Sequence, residues 1–151
     1  MTYDITLETM TERPAAVVTA TLPVASIGPF VGEAFGLVMQ ALGAAHSFPA
    51  GEPFASYSMH GDTFDVSAGF PVAAPVAASG RIVPFTLPGG TVATTMHIGP
   101  YDGVAAAYEA IMAWLGKEHL VPAGDPWEVY LDGPEVAMPR TRVCVPCRPA
   151  G

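Results

Sequence analysis

An internal repeat is the feature that most constrains how this chain can fold. The phrase PAGDPWEVY at residues 122–130 echoes PAGEPFASY at residues 49–57, an offset of 73 residues. A second phrase, Ile-Gly-Pro followed by an aromatic residue, occurs at 27–30 and again at 98–101, an offset of 71 residues. Phrases that recur in the same order at nearly the same offset indicate two copies of one unit, about 1–75 and 85–148, within a single domain over residues 1–151.

Each copy has the pattern of a strand, a helix and two further strands. Apolar residues at three- and four-residue steps predict a helix after Pro29 that stops near Gly43, and a second helix from about Tyr101 to His119. Residues 54–60 and 63–70 form a predicted hairpin, and 127–131 with 140–145 form its counterpart. The pattern predicts an α+β fold, an antiparallel sheet with two helices packed on one face.

Composition limits the partners that such a chain can have. The 151 residues are half apolar, which is enough for a core without disulfides or metals. Six Lys and Arg residues stand against fourteen Asp and Glu, giving a net charge of -8. Because affinity for a phosphate backbone rests mainly on clustered Lys and Arg, direct binding of nucleic acid is not expected, whereas neutral or cationic partners are.

The amino terminus gives no targeting signal. It has no basic segment followed by an apolar stretch, and no run approaches the ~20 apolar residues of a membrane span. The sequence therefore predicts a cytoplasmic protein without a membrane segment.

Cys144 and Cys147 form a C-x-x-C pair, which is compatible with a redox site or half of a zinc site. The four histidines are scattered, and Pro146 lies between the cysteines near the end of the chain, so a structural role is favoured. No phosphate loop, dinucleotide fingerprint, nucleophile elbow or H-E-x-x-H is present, and neither a metal nor a cofactor is expected.

Glu128 is the position where the two copies differ chemically, because the first copy has Ala55 there. In a strand, Trp127 and Val129 share one face while Glu128 and Tyr130 share the other. We expect the apolar pair to meet the helices, which would leave the acid and the phenol on the opposite face. An acid beside an aromatic ring suits a flat cation. The alternative is an ordinary strand residue facing solvent.

Three motifs carry a family resemblance. The run His97-Ile98-Gly99-Pro100-Tyr101, a helix with Ala107-Tyr108, and the run at 127–130 together resemble the GyrI-like small-molecule-binding domains. These also occur as effector-binding halves of multidrug-responsive transcription regulators, and the resemblance spans the whole chain. It implies two copies about an approximate two-fold axis, a ligand groove on the sheet face away from the helices, and Glu128 as the acidic centre of a drug pocket.

Five aromatic or histidine side chains are further candidates for the groove. Tyr130 and its counterpart Tyr57 could line opposite sides, with cross-strand packing as the alternative. His97 could orient a ligand or be a satisfied strand-end residue. Tyr101 could form a pocket wall or anchor the helix start. Trp127 has the opposite parity to Glu128, so both could reach one ligand only if the strand is twisted or bulged.

Three functions remain open. The first is a stand-alone protein that captures amphipathic, aromatic or cationic compounds around Glu128. The second, implied by some members of the family, is a hydrolase of reactive cyclopropane-containing alkylating compounds in which Glu128 activates water. The third, inhibition of a larger enzyme such as gyrase, rests on the origin of the family name alone.

Overall fold

The computed structural model describes residues 3–133 and 135–151, so predictions that fall on Met1, Thr2 or Pro134 lie outside the described residues. Two helices are present, α1 (Ile27–Ala44) and α2 (Val104–Lys117), each preceded by a three-residue 3-10 turn. The strands are β1 (Thr6–Met10), β2 (Arg13–Leu22), β3 (Phe54–His60), β4 (Thr63–Pro71), β5 (Val83–Leu87), β6 (Gly90–Ile98), β7 (Leu120–Pro122), β8 (Trp127–Tyr130) and β9 (Arg140–Pro149). Antiparallel pairing with two helices confirms the predicted α+β class.

The chain forms two compact units that cut across the sequence repeat. The amino-terminal unit contains residues 12–88, and the carboxy-terminal unit combines residues 3–11 with 89–151. Strand β1 pairs with β6, so the first strand of the chain joins the sheet formed by the predicted second copy. Strand β5 in turn adds to β2. The repeat limits of about 1–75 and 85–148, and the single domain built from them, stay predictions.

In the amino-terminal unit the strands are ordered β3-β4-β2-β5. Helix α1 lies against β2 and β4, and the ring centroids of Phe35 on α1 and Phe70 on β4 are 5.7 Å apart. The buried residues of α1 recur every four positions and so form one stripe, made of Phe30, Ala34, Val38 and Leu42. The predicted hairpin of β3 and β4 is present, with Gly61 in its turn at a φ of +67°.

In the carboxy-terminal unit the strands are ordered β1-β6-β9-β8, and β7 also pairs with β9. Helix α2 packs on this sheet over a core made of Ala93, Ala107, Ile111, Leu115, Val143, Val145 and Cys147. The last strand is longer than the predicted 140–145, because its end pairs with β7, a three-residue strand that the sequence did not predict.

Helix α1 is apolar along most of its length. With its preceding turn it spans Val24–Ala44, and its most apolar 18-residue window has a mean hydropathy of 1.3 with 22% of the window buried. By length and composition alone this helix passes the test for a membrane span, although the sequence did not predict one. The core helix of a soluble protein and a signal sequence near the amino terminus pass the same test, and one stripe of α1 packs on β2 and β4.

Candidate ligand-binding site

Glu128 lies inside the carboxy-terminal unit, on the face of the sheet that α2 covers. In the register of β8 and β9 it stands opposite Val143, and Val143 belongs to the core under α2. Because paired residues in a sheet project to the same face, Glu128 points towards α2 as well. Its side chain is buried, with 8% of the residue exposed.

This placement corrects the predicted orientation of β8. Trp127 and Val129 were expected to meet the helices, with Glu128 and Tyr130 on the groove face away from them. Instead Glu128 and Tyr130 face α2, and Trp127 pairs with Cys144 on the opposite face. Trp127 is nevertheless only 4% exposed. Both faces of β8 are therefore buried at this point, so the larger apolar side chain does not mark the helix side.

Two phenol groups hold the Glu128 carboxyl. The Tyr108 hydroxyl, from α2, donates to Oε2 at 2.7 Å, and the Tyr130 hydroxyl donates to Oε1 at 3.0 Å. Tyr108 follows the buried Ala107, which places its ring at the edge of the helix stripe and its hydroxyl over the sheet. Each carboxyl oxygen thus accepts one hydrogen bond from a half-buried tyrosine.

Burial dominates the electrostatics of Glu128. Removal from water raises the pKa of its carboxyl above the ordinary value, and the hydrogen bonds from Tyr108 and Tyr130 and the charge of His97 lower it by less. A carboxyl in this environment keeps its proton to higher pH than a surface glutamate does. It also gains more from a nearby positive charge, because little solvent screens the attraction.

His97 is buried, with 3% exposed, and both of its ring nitrogens are engaged. Nε2 lies 2.9 Å from the Pro100 carbonyl oxygen, and Nδ1 lies 2.9 Å from the Tyr3 hydroxyl. Since the carbonyl can only accept, Nε2 carries the proton, and in the neutral ring Tyr3 donates to Nδ1. His97 therefore ties the start of the chain and the turn before α2 to β6. Its direct contact with a ligand stays a prediction.

Gly103 leaves room for the His97 ring. It is the residue immediately before α2, and a Cβ added there would lie 3.3 Å from His97 Cε1 and 3.4 Å from Nε2. The His97 ring thus fits closely against the start of the helix that carries Tyr108.

Tyr101 supports the site from the side. Its hydroxyl donates to the Asp132 carbonyl oxygen at 2.9 Å, and its ring meets the Tyr130 ring edge-on, with centroids 5.8 Å apart. Burial chiefly raises the pKa of the Tyr101 phenol. Tyr101 therefore braces Tyr130, and whether it also forms a pocket wall stays a prediction.

Tyr57 belongs to the amino-terminal unit. It lies on β3 opposite Val66 and is half-buried. The predicted role of Tyr57 as a lining residue of the groove, like ligand contact by Trp127, stays a prediction.

The sequence did not predict two of the side chains near Glu128, Tyr108 and Thr141. The spacing of Tyr108 along the second helix fits the apolar stripe and so predicts a core residue, and nothing in the sequence singles out Thr141. Thr141 is fully buried on β9, opposite both His97 and Tyr130. Tyr108 stands 73 residues after Phe35, the same offset that separates Glu128 from Ala55, so the repeat was the signal that could have found it.

The cysteine pair shows no sign of reactivity. Cys144 and Cys147 are free and buried, and an odd spacing puts them on opposite faces of β9. Burial raises the pKa of the Cys144 thiol to about 12. Within residues 3–133 and 135–151, no group of three or more His, Cys, Asp or Glu side chains is placed to hold a metal ion.

A family profile, the GyrI-like small molecule binding domain, matches residues 3–148. The chain belongs to the GyrI-like family. No curated protein matches this GyrI-like domain by sequence.

Solved structures share its fold. The EcmrR chain in a DNA complex superposes with a TM-score of 0.83 at 21% identity over 98% of this chain, which spans 58% of the EcmrR chain. The isolated EcmrR C-terminal domain superposes with a TM-score of 0.77 at 23% identity, covering 99% of this chain and 100% of that domain. SAV2435, solved with bound tetraphenylphosphonium, superposes with a TM-score of 0.70 at 12% identity, covering 96% of this chain and 94% of the SAV2435 chain. At these identities the likeness establishes the fold alone.

Proposed function

We propose that this GyrI-like domain captures amphipathic aromatic cations, with Glu128 as the acidic centre of the site. The observation that carries the proposal is a buried carboxyl, held by two phenol groups, whose pKa is raised by loss of solvent. The structural neighbour SAV2435 was solved with a cation of this class, tetraphenylphosphonium.

The physical basis is compensation of a desolvated acid. A cation brought next to the Glu128 carboxyl supplies the favourable interaction that water provides elsewhere, and so favours the ionised form. The Tyr108 and Tyr130 rings add cation–π attraction of about 0.5–2 kcal/mol each. Capture of a cation is therefore expected to release a proton wherever the free carboxyl is protonated.

Calorimetric titration with tetraphenylphosphonium tests this function. Glu128→Gln keeps the shape of the side chain and removes its charge, so affinity should fall at least about thirty-fold, because loss of one partner of a buried charge pair costs about 2–5 kcal/mol. Glu109→Gln, at an exposed position of α2 next to Tyr108, makes the same change in net charge and should bind like the wild type. Equal affinity of all three proteins would remove Glu128 from the function.

Hydrolysis of a cyclopropane-containing alkylating compound is the second candidate, and the raised pKa of Glu128 favours it. A carboxylate with a higher pKa is a stronger general base towards water. Incubation with such a compound, followed by mass spectrometry, should give the ring-opened water adduct with the wild type and not with Glu128→Gln. Cation binding without any adduct would leave capture as the function.

A further inference from the structure

Thr141 has a buried hydroxyl without a partner. The residue is 0% exposed, and its Oγ1 makes no hydrogen bond to any of the described residues. An unpaired buried hydroxyl is unfavourable, since it loses its bonds to water and gains nothing in return, and folded chains contain few of them. One explanation is that the group is kept for a ligand.

The position of Thr141 links it to the Glu128 site. It stands directly opposite Tyr130 on β8 and His97 on β6, on the face that α2 covers. Glu128 is its diagonal neighbour on the same face of the sheet, and such neighbours are about 7–8 Å apart. The two side chains are therefore close enough to form parts of one site.

The hydrogen-bonding groups around this position are mostly acceptors. Each Glu128 oxygen accepts one phenol hydrogen bond and retains a lone pair. His97 Nε2–H already donates a hydrogen bond to the Pro100 carbonyl oxygen, and the neighbouring buried Thr95 donates to the Asp4 carbonyl oxygen. Thr141 Oγ1 adds an acceptor to this set.

We propose that Thr141 is a specificity-determining residue that makes the site prefer cations carrying N–H groups, such as primary ammonium or amidinium ions, over fully substituted cations. One N–H of the ligand bonds to the Glu128 carboxylate and a second to Thr141 Oγ1. A quaternary ammonium or phosphonium ion interacts with the carboxylate only. This inference rests on the proposed capture function and goes beyond it, since attraction to Glu128 alone would not require Thr141.

The amino-terminal unit supplies the variant that tests it. Val66 pairs with Ala20 and Tyr57 there, as Thr141 pairs with His97 and Tyr130. The same place in this fold thus accepts valine, which has the shape of threonine and lacks the hydroxyl. Thr141→Val should fold, and Thr141→Ser keeps the hydroxyl as a control.

The probes are 1-naphthylmethylammonium and its N,N,N-trimethyl derivative, each titrated calorimetrically into the full chain. Thr141→Val should lower the affinity for the primary ammonium ion roughly ten-fold and change the affinity for the trimethyl ion by less than about two-fold. Thr141→Ser should retain the preference of the wild type. A Thr141→Val variant that weakens both probes equally, or neither, overturns the role of Thr141. If Glu128→Gln also leaves both affinities unchanged, or if neither probe binds the wild type, the capture function fails and this inference fails with it.

Discussion

The helix-covered sheet faces of the two units share one layout and differ in polarity. In the carboxy-terminal unit, residues that pair across β6, β9 and β8 form rows on this face. One row is His97, Thr141 and Tyr130, and the next row is Thr95, Val143 and Glu128. In the amino-terminal unit, the matching rows across β2, β4 and β3 are Ala20, Val66 and Tyr57, then Val18, Ala68 and Ala55. Four apolar positions of one unit are thus polar in the other, within the same backbone layout.

The helices differ in the same sense. Phe35 of α1 stands 73 residues before Tyr108 of α2, so the unit without the acid also lacks the hydroxyl that would bond to it. The acid and its donor occur together in one unit and are absent together from the other. The sheet and helix thus specify the frame in both units, while a few side chains on one face make the carboxy-terminal unit polar.

Moving the acid into the other unit should give the largest effect. Ala55→Glu puts a carboxyl where 0% of the residue is exposed and where Phe35 offers no hydroxyl. A buried charge with too few partners costs about 3–5 kcal/mol, so the free energy of unfolding should fall by about that much in urea titrations. Adding Phe35→Tyr should restore about 1.5–3 kcal/mol by supplying the missing donor.

Size must be separated from charge in that experiment. Ala55→Met adds a side chain of similar length without a carboxyl, and its loss of stability measures overpacking alone. If the methionine variant is as unstable as Ala55→Glu, and Phe35→Tyr recovers nothing, the difference between the two faces is one of volume and not of hydrogen bonding.

Removing the donor from the polar unit should have the next largest effect. Tyr108→Phe gives α2 the side chain that α1 has at Phe35 and leaves Glu128 Oε2 without its 2.7 Å bond. Where Glu128 is ionised, we expect a loss of about 1.5–3 kcal/mol, because the bond is made to a charged group. A double-mutant cycle with Glu128→Met, which has no oxygen to accept the bond, measures the coupling, and a value near zero would contradict the assigned bond.

The pH dependence of stability should also distinguish the acid. The ordinary pKa of the Glu128 carboxyl is 4.5, and burial raises it in the folded chain. Over the interval from 4.5 to the raised value the folded state holds a proton that the unfolded state has released, so the contribution of Glu128 to stability falls as pH rises. Relative to Glu128→Gln, the wild type should lose stability through this interval and then level off, in denaturation series from about pH 4 to about pH 8. Parallel curves for the two proteins would contradict a raised pKa.

The sequence predicted the frame well because its signals are local. Helical spacing located α1 and α2, and turn residues such as Gly61 located the β3–β4 hairpin. The pairing of β1 with β6 and the three-residue strand β7 were missed, because both depend on partners distant in the chain. A strand as short as β7 has no periodicity of its own and forms only where β9 is already in place.

The arrangement of side chains around Glu128 was predicted in part, and their role as a ligand site stays a prediction. The repeat identified Glu128, since it set the acid against Ala55. Strand parity correctly paired Glu128 with Tyr130 but assigned them to the wrong face, because Trp127 is buried on the other side as well. Thr141 gave no signal, since threonine is common in strands, and only the folded register shows that its hydroxyl is buried and unpaired.

The smallest expected effect concerns the residues that begin the two helices. Ser26 before α1 and Gly103 before α2 have nearly the same backbone angles, with φ of -95° and -91°. The Ser26 side chain makes no capping hydrogen bond, so its hydroxyl adds little at this position, and a serine at Gly103 would gain little from one. Its Cβ would lie 3.3 Å from the His97 ring, whereas Ala20 occupies the place of His97 in the other unit. We therefore expect Gly103→Ser to lower the free energy of unfolding by about 1 kcal/mol. Ser26→Gly should change it by only about 0.3 kcal/mol. Thermal unfolding measures both changes. A gain in stability from Gly103→Ser would mean that the His97 ring moves freely away from α2, and His97 would then not position the helix that carries Tyr108.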